Sequence, residues 1–136
     1  MSYGAGAALQ EAVYQLLQAD PAVQALVAGR VFDAPPAGEV PPLYVALGEE
    51  RARDRGDQTG HAARHEFTVS VVAEAGGFAA AKAAAAAISD ALADARPALA
   101  RGRVVQMDFR RATARRVGRN ARRRIDLRFA ALVDES

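Results

Sequence analysis

A chain of 136 residues, 51% apolar and 25% charged, supports one globular domain, residues 1–136, and is too short for two ordinary ones. It holds no cysteine, which excludes disulfides and thiolate metal sites. The net charge of +2 hides a division: residues 1–100 carry seven basic and twelve acidic side chains (−5), residues 101–136 eleven and four (+7).

Leu9, Val13, Leu16 and Leu17 recur at helical spacing in "GAALQEAVYQLLQ". The second helix, "DPAVQALVAGR", has Asp20 as its cap, Pro21 at its first position and Gly29 just past its end, and it buries Val23, Leu26 and Val27. Val31 and Phe32 begin a short extended segment that "APPAGEVPP" interrupts. In "LYVALG", Leu43, Val45 and Leu47 alternate with Tyr44, Ala46 and Gly48, a strand pattern. Residues 49–64, charged and broken by glycine, are expected to form a long mobile loop or hairpin tip.

"HEFTVSVVAE" is the next strand, with Phe67, Val69 and Val71 inward. "FAAAKAAAAAISDALADA" follows as an alanine-rich helix whose stripe is Phe78, Ala81, Ala85, Ile88, Leu92 and Ala95. Two long strands close the chain. Val105, Met107 and Phe109 face inward on the first, and Ile125, Leu127, Phe129, Ala131 and Val133 on the second, with "VGRN" as the turn. The order ααβββαββ predicts an α+β domain, a mostly antiparallel sheet with helices on one face and a long C-terminal β-hairpin.

Catalytic constellations are missing from this pattern. His61 and His65 enter a strand without a third ligand, so they read as exposed histidines and no metal is expected. "AGGFAAAK" follows a strand and opens a helix but lacks the Lys-Ser/Thr pair of a phosphate loop. Glu49 and Glu50 sit among arginines as solvated charge, and Ser70 and Ser89 have no neighbouring base. No enzyme and no cofactor are expected. No apolar run nears the roughly 18 residues of a membrane-spanning helix, and the N-terminus has no basic-then-apolar signal, so no membrane and a cytoplasmic product are expected.

"MDFRRATARRVGRNARRRIDLRF" holds nine arginines in residues 107–129. In the alternating register Arg111 and Arg115 continue inward, while Arg110, Arg116, Arg122, Arg124 and Arg128 lie on the open face. Such a hairpin tip has little to bury and must be ordered by something else. Aromatic stacking residues are scarce, which favours an acidic protein surface over nucleic acid. The candidate contact residues are therefore Arg110, Arg111, Arg115, Arg116, Arg119, Arg122 and Arg123 on the hairpin, with Glu49, Glu50, Asp54 and Asp57 on the acidic loop.

"LQEAVYQLLQADPAVQALVAGRVFDAPP", "PPLYVALGEE", the alanine-rich helix and "RRIDLRF" together resemble the small tail terminator (tail-completion) proteins of long-tailed phages and of alphaproteobacterial gene transfer agents. The resemblance implies a single tail-terminator-like domain in a homo-hexameric ring that caps the tail tube and ends its growth. It further implies the tail tube protein on one side and a neck or stopper protein on the other, with DNA passing through the lumen without sequence-specific binding. Such a protein is cytoplasmic during assembly and then part of the particle at the neck/tail junction. A head–tail adaptor and a basic nucleic-acid-binding domain stay open as alternatives.

Overall fold

The computed structural model describes residues 3–34, 36, 38–54, 61–119 and 121–135, without the side chain of Asp54. The elements are α1 (Gly6–Ala19), α2 (Pro21–Val27), β1 (Val31–Phe32), β2 (Leu43–Asp54), β3 (Ala62–Ala73), α3 (Phe78–Leu92), β4 (Arg103–Val117) and β5 (Arg122–Asp134). The strands form one open sheet in the order β1-β2-β3-β5-β4. β1 pairs parallel to β2, and every other pairing is antiparallel. The α+β architecture and the element order agree with the sequence pattern.

One face of the sheet carries the main core. Leu9, Val13 and Leu17 of α1, Val23 and Val27 of α2, and Ala81, Ala84, Ile88 and Leu92 of α3 pack on Val45, Val69, Val71, Leu127 and Phe129. The small side chains of α3 let its backbone lie close to the strands. α2 begins as read: the Val23 N–H donates to Asp20 Oδ2 at 3.0 Å, with Pro21 at the first position. Its end differs, because Ala28 itself takes the left-handed conformation (φ 48°) ahead of Gly29 (φ 80°). Leu26, expected inside, points outward and is 37% exposed. A smaller cluster of Tyr44, Ala46 and Val72, with Phe32 against it, lies on the opposite sheet face.

Two further expectations fail. The supposed loop 49–64 is mostly strand, since β2 runs on to Asp54 and β3 starts at Ala62. Arg51 stands opposite Glu66 and Arg53 opposite Arg64, with small Ala52 and Ala63 on the other face. A strand whose exposed face is all charge looks like a loop in sequence. Residues 55–60, including Asp57, lie outside the described residues.

The second failure concerns β4. Its ladder with β5 shifts register between Val104 and Gln106 and again between Phe109 and Arg111. Each bulge inserts one residue and reverses the side that later residues face. Val104 and Met107 are buried, Val105 is only half-buried, and Phe109 is 44% exposed, touching Phe129 edge-on at 5.7 Å. Met107→Ala should therefore cost about 2–5 kcal/mol in urea unfolding, as a buried large-to-small change. Phe109→Ala should cost clearly less, and equal costs would show that Phe109 is a core residue after all.

Candidate functional site

β5 fixes the faces of the hairpin. Ile125, Leu127 and Phe129 point to the helices, so Arg122, Arg124, Asp126 and Arg128 point to the open side. Across from them on β4 stand Val117, Arg115, Thr113 and Arg111. On the helix side Ala112 faces Leu127, Ala114 faces Ile125 and Arg116 faces Arg123. Arg111 and Arg115 are thus on the open face and Arg116 on the helix side, the reverse of the alternating register. The bulge at Phe109/Arg111 is the cause. Arg110 falls within that irregularity, and it is exposed, as is Arg119 at the turn.

One carboxylate organises the open face. Asp126 Oδ1 accepts from Ser70 Oγ at 2.6 Å and from Arg124 Nε at 2.8 Å, while Oδ2 accepts from Arg115 Nη2 at 3.4 Å. Arg124 Nη2 also donates to Ser70 Oγ at 3.2 Å. Burial alone would raise the Asp126 carboxyl. The Ser70 hydrogen bond and the Arg124 and Arg115 guanidiniums outweigh it and hold the group below its ordinary range. Glu66 does a similar duty between Arg64 (3.2 Å) and Arg53 (3.9 Å). On the helix side Arg123 and Lys82 lie over the Phe78 ring at 5.1 and 4.7 Å.

Other arginines go without a carboxylate. Among the described residues no ion pair reaches Arg111, Arg116, Arg122 or Arg128. Arg111 stands directly opposite Arg128, and Arg116 opposite Arg123. Like charges in cross-strand pairs destabilise a ladder. The expected basic contact residues are therefore brought together on one hairpin.

The acidic set is elsewhere. Glu49 and Glu50 lie on β2, with β3 and β5 between them and β4. Glu50 pairs with Phe67 after a register shift at Leu47/Glu50, which turns it to the helix side. There it borders a cavity of about 20 Å³ lined by Leu9, Val13, Leu47 and Phe67. Its Oε1 is buried without a hydrogen-bond partner among the described residues, and burial raises its carboxyl above the ordinary range. Asp54 has its backbone in β2, its side chain outside the described set.

His65, expected to be exposed, is fully buried. It points to the helix side opposite Ala52, with the Tyr3 ring stacked at 6.1 Å, and neither ring nitrogen has a partner among the described residues. The alternation His65–Phe67–Val69–Val71 carried that signal in the sequence. Burial lowers its pKa, against a smaller opposing effect of Glu135. His61 is exposed, and no group of three metal-ligating side chains occurs among the described residues.

Residues 11–134 match the family model of tail completion protein gp17. A chain in the solved structure of the virion of a native gene transfer agent (GTA) particle is 53% identical, with a TM-score of 0.91 over 98% of this chain and 99% of that one. No curated protein sequence matches. The chain belongs to the tail completion protein family and is a structural tail protein.

Two titrations follow from the geometry. With its folded pKa below the unfolded value of about 6.5, neutral His65 makes the fold lose stability as pH falls below that value, by up to about 1.4 kcal/mol per pH unit. Thermal melts between pH 7.5 and 5.5 should show the loss, and His65→Leu should flatten it. An unchanged slope would mean that His65 takes a proton in the fold. Asp126 has the opposite sign: its depressed pKa gives stability above the unfolded carboxylate range that is lost as pH falls through the folded value. Asp126→Asn should cost on the order of 1 kcal/mol at pH 7. Urea titrations should show that difference fading toward pH 3.

Proposed function

We propose that copies of this chain close into a homo-hexameric ring on the end of a tail tube, where they stop polymerisation and join the tail to the neck and head. The particle would be of the gene-transfer-agent kind. The observation that carries this reading is the 53% identity over 98% of the chain to a protein of a gene transfer agent virion. The family match over residues 11–134 supports it.

The geometry suits a ring. A closed ring uses heterologous contacts, in which one patch meets a different patch on the next copy. Here the basic hairpin and the acidic residues of β2 stand at opposite ends of one sheet. The tube protein would take one side of the ring and a neck or stopper protein the other. The chain would act without hydrolase, nuclease or transferase chemistry and without a metal, assembling in the cytoplasm before it joins the particle.

A second reading, contact with nucleic acid, is favoured by Arg111, Arg122 and Arg128, which share the open face and have no carboxylate partner among the described residues. In the ring this becomes non-specific contact with DNA passing through the lumen. A DNA-binding module working alone would be retained on DNA with a log–log salt slope of roughly 0.9 per phosphate neutralised.

A strain lacking the gene should make heads, together with tails of uncontrolled length or tails never joined to heads. Electron microscopy of the lysate checks this. Tails of normal length, correctly joined, would overturn the proposal.

A further inference from the structure

Both edges of the sheet are open, and they differ in kind. β1 covers only Val45 and Ala46, so from Leu47 to Asp54 the outer side of β2 has no strand neighbour among the described residues. At the other end, the Asp94 N–H donates to the Met107 carbonyl at 2.9 Å and closes the near part of the β4 edge. Beyond it, from Phe109 to Val117, β4 has β5 on one side and no backbone partner on the other among the described residues. Long free edges invite pairing with another chain.

Three features state what the partner is. The first is strand direction. β2, β3, β5 and β4 alternate strictly, so β4 runs opposite to β2. A second copy set beside β4 by rotation about an axis inclined to the strands presents its β2 edge antiparallel, so the alternation continues. The inclination slides that edge along β4, since within one copy Arg116 is level with Arg123, Ala73 and Leu43 and not with Glu50. The second is apolar surface. Phe109, Ala112 and Ala114 line an open groove of about 270 Å³ with Ala85 and Ala86 of α3, on the helix side of the β4 edge. The third is charge. Arg116 is exposed on that same side, opposite Arg123, with no carboxylate beside it among the described residues. Glu50 is on the helix side of β2, with one buried oxygen lacking a donor among the described residues. The residue is only half-buried, so its carboxylate can take a guanidinium from outside in a charge-assisted pair.

We infer that the free edge of β4 docks antiparallel along the uncovered outer edge of β2 of a second copy, with Arg116 of the first meeting Glu50 of the second. This contact rests on the ring reading and names the surfaces that build the ring. With Arg116 opposite Glu50, Ala114 comes opposite Ala52 and Val117 opposite Glu49, so the contact covers the Ala112–Ala114 end of the groove beside α3.

Charge reversal tests it on the purified full chain. Light scattering over a concentration series should show self-association in the wild type. Glu50→Arg and Arg116→Glu should each raise the dissociation constant at least about tenfold, equal to about 1.4 kcal/mol, with little change in melting temperature. The double variant should regain association, and so should an equimolar mixture of the two single variants, because each supplies the charge that the other lacks. Arg116 is exposed, so Arg116→Glu alone reads the contact if Glu50→Arg fails to fold. A chain that associates as wild type in both single variants overturns the contact and leaves the ring standing. A wild-type chain that stays monomeric at every concentration overturns the ring reading and the contact with it.

Discussion

The unbroken ladder between β3 and β5 is the constraint on which the rest of the molecule depends. It runs from Ala62↔Asp134 to Ala73↔Arg123 without a register shift, at the middle of the sheet. It sets Phe67, Val69 and Val71 beside Phe129, Leu127 and Ile125 under the helices, with the rings of Phe67 and Phe129 stacked at 5.6 Å. A slip of one residue would turn that whole set to water and bring the arginines inside, so hydrophobic burial pins the pairing. The flanking ladders bulge: β2 once against β3, and β4 twice against β5. Bulges are tolerable there because they disturb strands that the centre already holds in place.

Those bulges explain how far the sequence could be read. The helices, the strand order and the Asp20–Pro21 start of α2 were legible because each expresses a local rule: 3.6-residue apolar spacing, two-residue alternation, or a cap. The facing of β4 was not. Strict alternation from Met107 does put Phe109 on the helix side, opposite Phe129, though it is 44% exposed there. It also assigns Arg111 and Arg115 to the inside, whereas the bulge after Phe109 turns both arginines to the open face. A bulge leaves little trace in composition, although the doublets Val104-Val105 and Arg110-Arg111 mark the two places. β2 beyond Glu49 was missed for a different reason. It reads Glu50, Arg51, Ala52, Arg53 and Asp54, one alanine among charges, and a period of two is hard to see when neither face is strongly apolar. His65 shows the opposite error, a polar residue judged by its type while its register placed it among Phe67 and Val69.

The open face shows how a charged sheet surface is stabilised locally. Asp126 gathers Ser70, Arg124 and Arg115, and Glu66 gathers Arg64 and Arg53. Each carboxylate answers two guanidiniums, so part of the basic excess is neutralised within the fold. Such half-open pairs contribute little individually. Their consequence is geometric, since they hold Arg115 and Arg124 against the sheet. Arg111, Arg122 and Arg128, without carboxylates among the described residues, are the side chains of that face with donors to offer a partner.

Charge also decides which edges can meet. Pairing β4 with β4 of another copy would lay Arg110, Arg111, Arg115 and Arg116 against themselves, several like charges within reach of one another across the ladder. Pairing β2 with β2 would set Glu49 and Glu50 against their own copies. Only β4 with β2 brings the basic stretch to the acidic one. A two-fold axis normal to the sheet would set either edge antiparallel to its own copy too, so charge makes the choice and strand direction does not. Edge charge on a free strand is commonly a device against aggregation. Here the β4 edge is basic and repels its own kind, while the β2 edge, with Glu49 and Glu50 ahead of Arg51 and Arg53, offers it carboxylates. A two-fold dimer needs one patch that is complementary to itself, and the β4 edge is not. For that edge the proposed ring needs head-to-tail addition, which ends only when the rotation between neighbours closes the ring.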